Sequence, residues 1–446
     1  YAANDAYNYP EANRQLQRSL SIAQQIPSTQ LEVRSLAQLS SVAYNDSKDD
    51  QAIAIANQVI DTARDNGLEY WVSDGLVRLG NAFLDKEDYV AAEQPLQDAI
   101  RRARENNHPR LQATAGITLA SLRAQQRRWD EVVHYARPAQ QYFENYGFAG
   151  LSDQALQLLA RAAQSKGDYA GALAIGTQLL RSAEQSHSSA YILLAEESIG
   201  FTLFRLQHYP EALQHFDHAL EQAALLKEDV VYVQLARADL LWQLGRYAEA
   251  NAILGSFSSE AAKRTDVGLA IASTQANMLN SEGEYREALR IAREAQLRYA
   301  SKAGPTKDAA LSRALMQSYI HLDQRAEAQQ SAAALQVVHG GDADEWETAA
   351  NGLAIAMLDL QHGDFNSARN FAQQAEAFFA QKNIAESDAL CFYVAAEAAD
   401  ATGEQTIADE WSKKSVDIFQ GLEQSWGVRT FHQYLARPDR QQLFRS

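Results

Sequence analysis

Three histidines in one short stretch are the residues of this sequence whose type and spacing best suit a metal site. His215 and His218 are three positions apart, so on a helix they share a face with Glu211, and His208 lies nearby. Imidazole and carboxylate groups on one helix face are able to bind a divalent ion. However, Phe216 belongs to the apolar stripe of the same helix, which favours histidines that face solvent. We therefore expect no bound metal.

The single cysteine and the paired carboxylates are the other candidates for chemistry. Cys391 lies on an apolar stripe with Leu390 and Val394, which predicts a buried thiol rather than a nucleophile. Paired acids such as Glu196 and Glu197 are ordinary on an acidic helical surface. Neither a glycine-rich phosphate loop nor a serine held between glycines is present. We expect no catalytic residues, no enzymatic activity and no cofactor.

Composition narrows the class of partner. Among 446 residues, 40 are basic and 57 acidic, giving a formal charge of −17, which is poorly suited to neutralising phosphates. No apolar stretch approaches the ~20 residues of a membrane span. One cysteine excludes an internal disulfide framework, which is compatible with any compartment. We expect a cytoplasmic chain that neither binds nucleic acid nor inserts into a membrane.

An internal repeat organises the chain. An aromatic residue followed three positions later by alanine recurs, as at Tyr169 and Tyr209. Extending this register gives eleven anchor positions, which are Tyr9, Asp49, Tyr89, Trp129, Tyr169, Tyr209, Tyr247, Tyr285, Arg325, Phe365 and Gln405. The anchors are 40 residues apart except for two successive steps of 38. Alanine follows three positions later in ten of the eleven copies, and such regularity indicates a repeat architecture.

Each repeat is predicted to form two helices. Apolar residues recur with helical spacing from Asp74 to Leu84 and again from Tyr89 to Ala103, with a polar break between the two stretches. In five copies a glycine lies two positions before the anchor, as at Gly167, and suits the left-handed residue that commonly ends a helix.

The pattern resembles the tetratricopeptide repeat (TPR). That family places leucine and glycine ten and nine positions before the anchor and a large apolar residue six before it. After the anchor it places alanine at the third position, a bulky residue at the seventh and alanine at the tenth. The Tyr89 copy matches at Leu79, Gly80, Phe83, Ala92, Leu96 and Ala99. Units of 40 residues, rather than the family's usual 34, resemble the solenoids of bacterial signalling proteins and maltose-activator-like regulators. The resemblance implies an all-α, right-handed solenoid whose first helices line a concave groove.

The repeat register also predicts the organisation of the chain. Residues 1–27 form a partial repeat with only its second helix, and residues 28–420 form about ten repeats. Residues 421–446 leave the register and are predicted to cap the last repeat. Because the sequence begins with Tyr1 inside a repeat rather than with Met, we expect it to belong to a longer protein.

If the groove follows the family pattern, its side chains come from the first helix of each pair. The predicted partner-binding residues are Phe201, Phe204, Tyr232, Asp239, Trp242, Asn277, Asn280, Arg313 and Arg161. Aromatic rings beside amides and charges are able to stack on and hydrogen-bond a peptide. The alternative is that Phe204 and Trp242 only fill space between helices.

Charge is distributed unevenly along the chain. Residues 342–410 contain fourteen acids and two bases, whereas residues 98–137 contain eight arginines and four acids. A solvated helical surface is the favoured interpretation. The alternative is a polarised solenoid that orients a charged partner.

These features favour a non-catalytic scaffold or sensor that binds a protein or peptide segment in its groove. Two alternatives stay open. In the first, the chain is the regulatory arm of an enzyme or transcription activator whose effector domain is covalently linked outside this sequence. In the second, it is a receptor for a sugar or metabolite.

Overall fold

The computed structural model describes residues 8–227, 230–257, 259, 263–299, 309–337 and 344–443, and these contain α-helices and no strand. The first eleven helices are α1 (Tyr9–Gln25), α2 (Thr29–Asn45), α3 (Asp49–Asp65), α4 (Glu69–Asp85), α5 (Tyr89–Glu105), α6 (Pro109–Gln125), α7 (Trp129–Asn145), α8 (Ala149–Ser165), α9 (Tyr169–Gln185), α10 (Ser189–Arg205) and α11 (Tyr209–Leu226). The next are α12 (Val231–Gln243), α13 (Tyr247–Ser256), α14 (Thr265–Glu282), α15 (Tyr285–Tyr299), α16 (Ala309–His321), α17 (Arg325–Val337), α18 (Glu345–His362), α19 (Phe365–Lys382), α20 (Ala385–Ala401), α21 (Gln405–Trp426), α22 (Val428–Leu435) and α23 (Pro438–Leu443). The prediction of an all-α solenoid is confirmed.

The helices belong to two compact units. Unit 1 contains the chain up to Ala162 together with Arg181–His187, and unit 2 contains Ala163–Leu180 and the residues from Ser188 onward. Within the part of the chain that the structure describes, no helix has both the length and the apolar character required to cross a bilayer.

All eleven anchors are the first residues of helices, including those that lack an aromatic ring. The residue two positions before the anchor has a positive φ in every described copy, whether it is glycine or not, as at Gly403 (80°) and Glu87 (59°). The turn therefore requires a left-handed residue, and five copies use a non-glycine residue at a strain of about 1–2 kcal/mol. The residue before the anchor caps the following helix in several copies. For example, Gly171 N donates to Asp168 Oδ1 over 2.9 Å.

Close approach of the two helices in a repeat explains the small residues of the pattern. The residue three positions after the anchor is buried in all eleven copies. A β-carbon at Gly80 would lie 2.4 Å from the Leu96 side chain, and one at Gly200 would lie 2.7 Å from the Phe216 ring. The bulky residue seven positions after the anchor thus packs directly against the glycine of the preceding helix.

The run of helices in unit 2 closes on itself. One core cluster combines buried residues of α10–α12 with buried residues of α18–α22. Gln207 Nε2 donates to Ser387 Oγ over 2.8 Å, and Trp426 Nε1 donates to the Gln207 carbonyl oxygen over 3.1 Å. These pairs are about 180 to 220 residues apart in sequence, so the repeat register does not predict them.

The C-terminal segment, defined as α22, α23 and the turn between them, contributes to this closure. It packs on helices that are distant in sequence. Phe431 and Tyr434 belong to the same buried cluster as Tyr209, and Arg437 Nη1 donates to the Gln243 carbonyl oxygen over 2.8 Å.

Substituting Gly245 tests this docking. Its φ is 75°, and an added β-carbon would lie 2.8 Å from the Gln433 carbonyl oxygen of α22. Gly403 has φ 80° but has no atom within 4 Å of that position. We expect Gly245→Ala to destabilise the protein by about 1–3 kcal/mol more than Gly403→Ala, because both carry the left-handed strain and only the first meets a backbone atom. Urea denaturation of both variants measures the difference, and equal losses would contradict the docking.

Candidate functional site

Unit 2 contains a cavity of about 1020 Å³. Its walls come mainly from α10, α12, α14, α16 and α18, which are the first helices of successive pairs. The C-terminal segment and a few residues of α8, α9, α11 and α20 also line it. This volume lies at the upper end of the roughly 300–1,000 Å³ typical of sites for small ligands. The lining combines aromatic rings with arginine and carboxylate groups.

Seven of the nine sequence-predicted residues line this one cavity, and these are Phe201, Phe204, Tyr232, Asp239, Trp242, Asn277 and Arg313. Asn280 and Arg161 are not among the lining residues. Asn280 is 1% exposed, donates to the Ala314 carbonyl oxygen over 2.9 Å and accepts from Ser318 Oγ over 2.8 Å. It therefore joins α14 to α16 instead of facing a ligand. Arg161 is exposed and belongs to unit 1.

The aromatic residues of α10 and α12 serve both packing and lining. Trp242 is only 7% exposed and belongs to a core cluster, yet its ring reaches the cavity wall and its Nε1 donates to Asp239 Oδ1. Phe201 packs edge-on against Phe216 with ring centroids 5.1 Å apart. Tyr232 is 54% exposed, and its hydroxyl donates to Asp266 Oδ2. The sequence left open whether Trp242 packs in the core or lines the groove, and in the structure it does both.

A network of arginines and carboxylates fixes the wall formed by α10, α16 and α18. Glu347 accepts from Arg313 Nη1 over 2.7 Å and from Arg205 Nη1 over 3.4 Å. Burial by itself would raise the pKa of Glu347, but the two arginines outweigh burial and lower it. The Arg205 guanidinium also lies 4.4 Å from the centre of the Trp346 ring. The network holds charged groups of the cavity in place without a ligand.

Residues of the C-terminal segment complete the cavity and were missed by the repeat register. Arg437, Asp439 and Arg440 all line it. The Arg437 guanidinium lies 4.8 Å from the centre of the Trp242 ring and pairs with Asp439 over 2.7 Å. Because these residues follow the last repeat, no periodic signal in the sequence places them beside α12.

His208 and His218 are exposed as expected, whereas His215 is half-buried and its carboxylate neighbour lies in the protein interior. Glu196 is buried and contacts Nδ1 of both His215 and His218, so it is not an ordinary surface acid. Burial raises the pKa of the adjacent Glu197 to about 7. Among the described residues, no group of three or more histidines, cysteines and acids has the arrangement of a metal site.

Six of the eight arginines in residues 98–137 are exposed, as expected of a solvated surface, but one is fully buried. Arg123 is 2% exposed and forms ion pairs with Glu93 and Glu131 over 2.7 and 2.8 Å. Arg101 and Arg102 likewise pair with nearby acids. Arginines that bind acids of this chain contribute less to a positive surface for a partner. Cys391 is buried as expected, and burial raises the pKa of its thiol.

No family model and no curated protein matches the sequence. Among solved structures, a Rap protein complexed with Competence and Sporulation Factor is 14% identical, with a TM-score of 0.42, over 88% of this chain and 99% of that chain. The apo form of RapI is 12% identical, with a TM-score of 0.39, over 93% of this chain and 98% of that chain. The TPR domain of P58(IPK) is 15% identical, with a TM-score of 0.26, over 84% of this chain and 99% of that chain. The chain is a TPR-like helical repeat, as its own repeated sequence and helix packing indicate.

Proposed function

We propose that this chain is a non-catalytic binding module that holds a short peptide, or a short segment of a protein, in the cavity of unit 2. The observation that carries the proposal is the lining itself. One cavity brings together aromatic rings, amides and paired charges from five first helices of the repeat. Such a surface provides both stacking area and oriented hydrogen-bond partners.

The lining groups are held in place before a ligand arrives, which supports binding. Trp242 is fixed by its hydrogen bond to Asp239, and Arg313 by Glu347 and by Asn351, whose Oδ1 lies 2.6 Å from Nη1. A preorganised site loses less conformational entropy when it binds than a mobile one. Seven residues predicted from the TPR register form part of this surface, which agrees with use of the groove for recognition.

The closure of unit 2 limits the size of the ligand. Contacts of α10 and of Gln207, in the turn after it, with α18, α20 and α21 join helices that are distant in sequence, and Arg205, Gln207 and Trp346 all line the cavity. A short peptide fits this geometry better than a long helix. The same closure and aromatic lining favour, as a second candidate, a receptor for a sugar or another metabolite of compact size.

In either case the module would serve a larger system. We propose that it is the sensing or regulatory arm of a bacterial signalling protein with a linked effector domain, as the resemblance of the 40-residue repeat implies. Binding in the cavity would bias the closed arrangement of unit 2 and thereby change the packing of its helices.

A cavity-filling variant tests the proposal. Ala310 lines the cavity at the start of α16, so Ala310→Trp would occupy it, whereas Ala248 is exposed on α13 and Ala248→Trp serves as the control. The immobilised full chain is challenged with a random heptapeptide pool, and retained peptides are identified by mass spectrometry. We expect retention by the wild type and by Ala248→Trp and at least about tenfold less by Ala310→Trp, a change of about 1.4 kcal/mol.

Circular dichroism must first show that both variants are folded. Equal retention by the two variants would place peptide binding outside the cavity. Retention of no peptide, combined with a saturable Trp fluorescence response to a sugar or metabolite panel, would favour the second candidate.

A further inference from the structure

Charge pairing within the cavity of unit 2 is nearly complete, with one exception. Nine lysine, arginine, aspartate or glutamate side chains line it, and these are Arg205, Asp239, Asp266, Arg313, Asp344, Glu347, Arg437, Asp439 and Arg440. Eight of them have an oppositely charged partner within 4.0 Å. Among the described residues, Asp239 has none, and its side chain accepts one hydrogen bond, from Trp242 Nε1.

The three arginines whose charges act on Asp239 already bind other carboxylates. Arg313 and Arg205 pair with Glu347, and Arg437 pairs with Asp439. Burial therefore remains the largest influence on Asp239 and raises its pKa, although the Trp242 hydrogen bond and the three arginines partly oppose it. Asp239 is half-buried, and a carboxylate that is partly withdrawn from water is stabilised by any further cation that reaches it.

The surroundings of Asp239 suit an organic cation. Asp239 lies three positions before Trp242 and seven after Tyr232, so the three side chains project from one side of α12, and all three line the cavity. The wall already accommodates a guanidinium, because that of Arg437 lies 4.8 Å from the centre of the Trp242 ring. Aromatic faces attract such cations. The net charge of −17 would further raise the local concentration of a cationic ligand.

We propose that Asp239 and the aromatic residues beside it form a cation subsite, which binds an ammonium or guanidinium group of the ligand. The inference rests on the proposed function, since it requires that the cavity be a ligand site. In a peptide the cation is a lysine or arginine side chain or a free amino terminus. In a small molecule it is an amine or a guanidine.

The test compares Asp239→Asn with Asp417→Asn in the full chain. Asp239→Asn removes the charge but keeps an oxygen that accepts from Trp242, whereas Asp417 is an exposed acid on α21. Each protein is exposed to two random heptapeptide pools, one with free and one with acetylated amino termini, and separately to agmatine by calorimetry.

We expect lysine and arginine to be enriched at least about threefold over the input pool in peptides retained by the wild type and by Asp417→Asn. Asp239→Asn should abolish that enrichment while still retaining peptides. Retention only from the free-terminus pool, or binding of agmatine, also supports the subsite if Asp239→Asn abolishes it. The first result identifies the amino terminus as the cation, and the second identifies a small guanidine.

Other results overturn the inference. Peptides retained equally from both pools without basic enrichment, or with enrichment that Asp239→Asn leaves unchanged, would refute the cation subsite and leave the proposed function standing. If the wild type neither retains peptides nor binds agmatine, the subsite is overturned. The proposed function is overturned as well only if the wild type also fails to respond to the sugar and metabolite panel.

Discussion

Replacing Glu386 with alanine is expected to destabilise unit 2 by about 3–5 kcal/mol, the range found when one partner of a buried ion pair is removed. Glu386 is 2% exposed. It accepts from the Tyr209 hydroxyl over 2.8 Å, from the Tyr434 hydroxyl over 2.7 Å and from Arg440 Nη2 over 2.7 Å. Without the carboxylate, the guanidinium and both hydroxyls would stay buried without this acceptor.

The position of Glu386 makes the effect global for unit 2. It lies on α20 and binds Tyr209 of α11 and Arg440 of α23, so it joins the helices that close the unit. Burial raises the pKa of both tyrosines well above the usual value, which keeps their hydroxyls protonated as donors. Loss of Glu386 should therefore release the C-terminal segment from α11.

Urea denaturation and amide hydrogen exchange measure this result. Glu410→Ala is the matched control, because Glu410 forms an exposed ion pair with Lys414 on α21 and should matter by less than about 1 kcal/mol. The double variant Glu386→Ala with Arg440→Met removes both charges and should recover much of the loss. A loss below about 1 kcal/mol in Glu386→Ala, with exchange of α22 unchanged, would show that this buried contact does not hold the segment.

The elements of the fold could be predicted from sequence because the repeat is a local pattern. Anchor, turn and helix face recur within 40 residues, so the register located the first residue of helices even at Asp49, Arg325 and Gln405. The left-handed residue before each anchor was visible only where it is glycine. Ser47 adopts the same conformation, since the turn geometry and not the residue type imposes it.

The candidate site could be predicted only as far as helix register extends. The register placed Asp239, Trp242 and Arg313 on first helices facing one surface. It did not separate Asn277, which lines the cavity, from Asn280, which faces α16, because three positions on a helix differ by only about 60°.

Closure of unit 2 could not be predicted from the repeat at all. Pairs such as Gln207 with Ser387 and Arg437 with Gln243 join positions 180 and 194 residues apart. A solenoid pattern describes contacts between neighbouring repeats and contains no information on distant ones. For the same reason the repeat pattern does not predict that arginines of the C-terminal segment line the cavity, because their position there depends on that closure.

The stability of unit 1 depends on Arg123, which is buried although the sequence pattern gives no sign that it differs from the surface arginines around it. We expect Arg123→Ala to destabilise unit 1 by about 3 kcal/mol, near the lower end for a broken buried pair, because water reaches Glu93 and Glu131 once Arg123 is lost. Arg101→Ala is the control, since Arg101 is exposed and its two ion pairs contribute less than about 1 kcal/mol each. Hydrogen exchange of α5 and α6 reports the loss within unit 1.

The pH dependence separates this ion pair from simple loss of packing. The hydrogen bond from Arg123 is the main cause that lowers the pKa of Glu93 below its ordinary 4.5. A carboxylate with a lowered pKa in the folded state stabilises the protein above pH 4.5, and that contribution disappears as pH falls through the lowered value. The difference between wild type and Arg123→Ala should therefore be largest at neutral pH and shrink in acid. A difference that stays constant from neutral pH into acid would instead assign the effect to the buried methylene groups of Arg123.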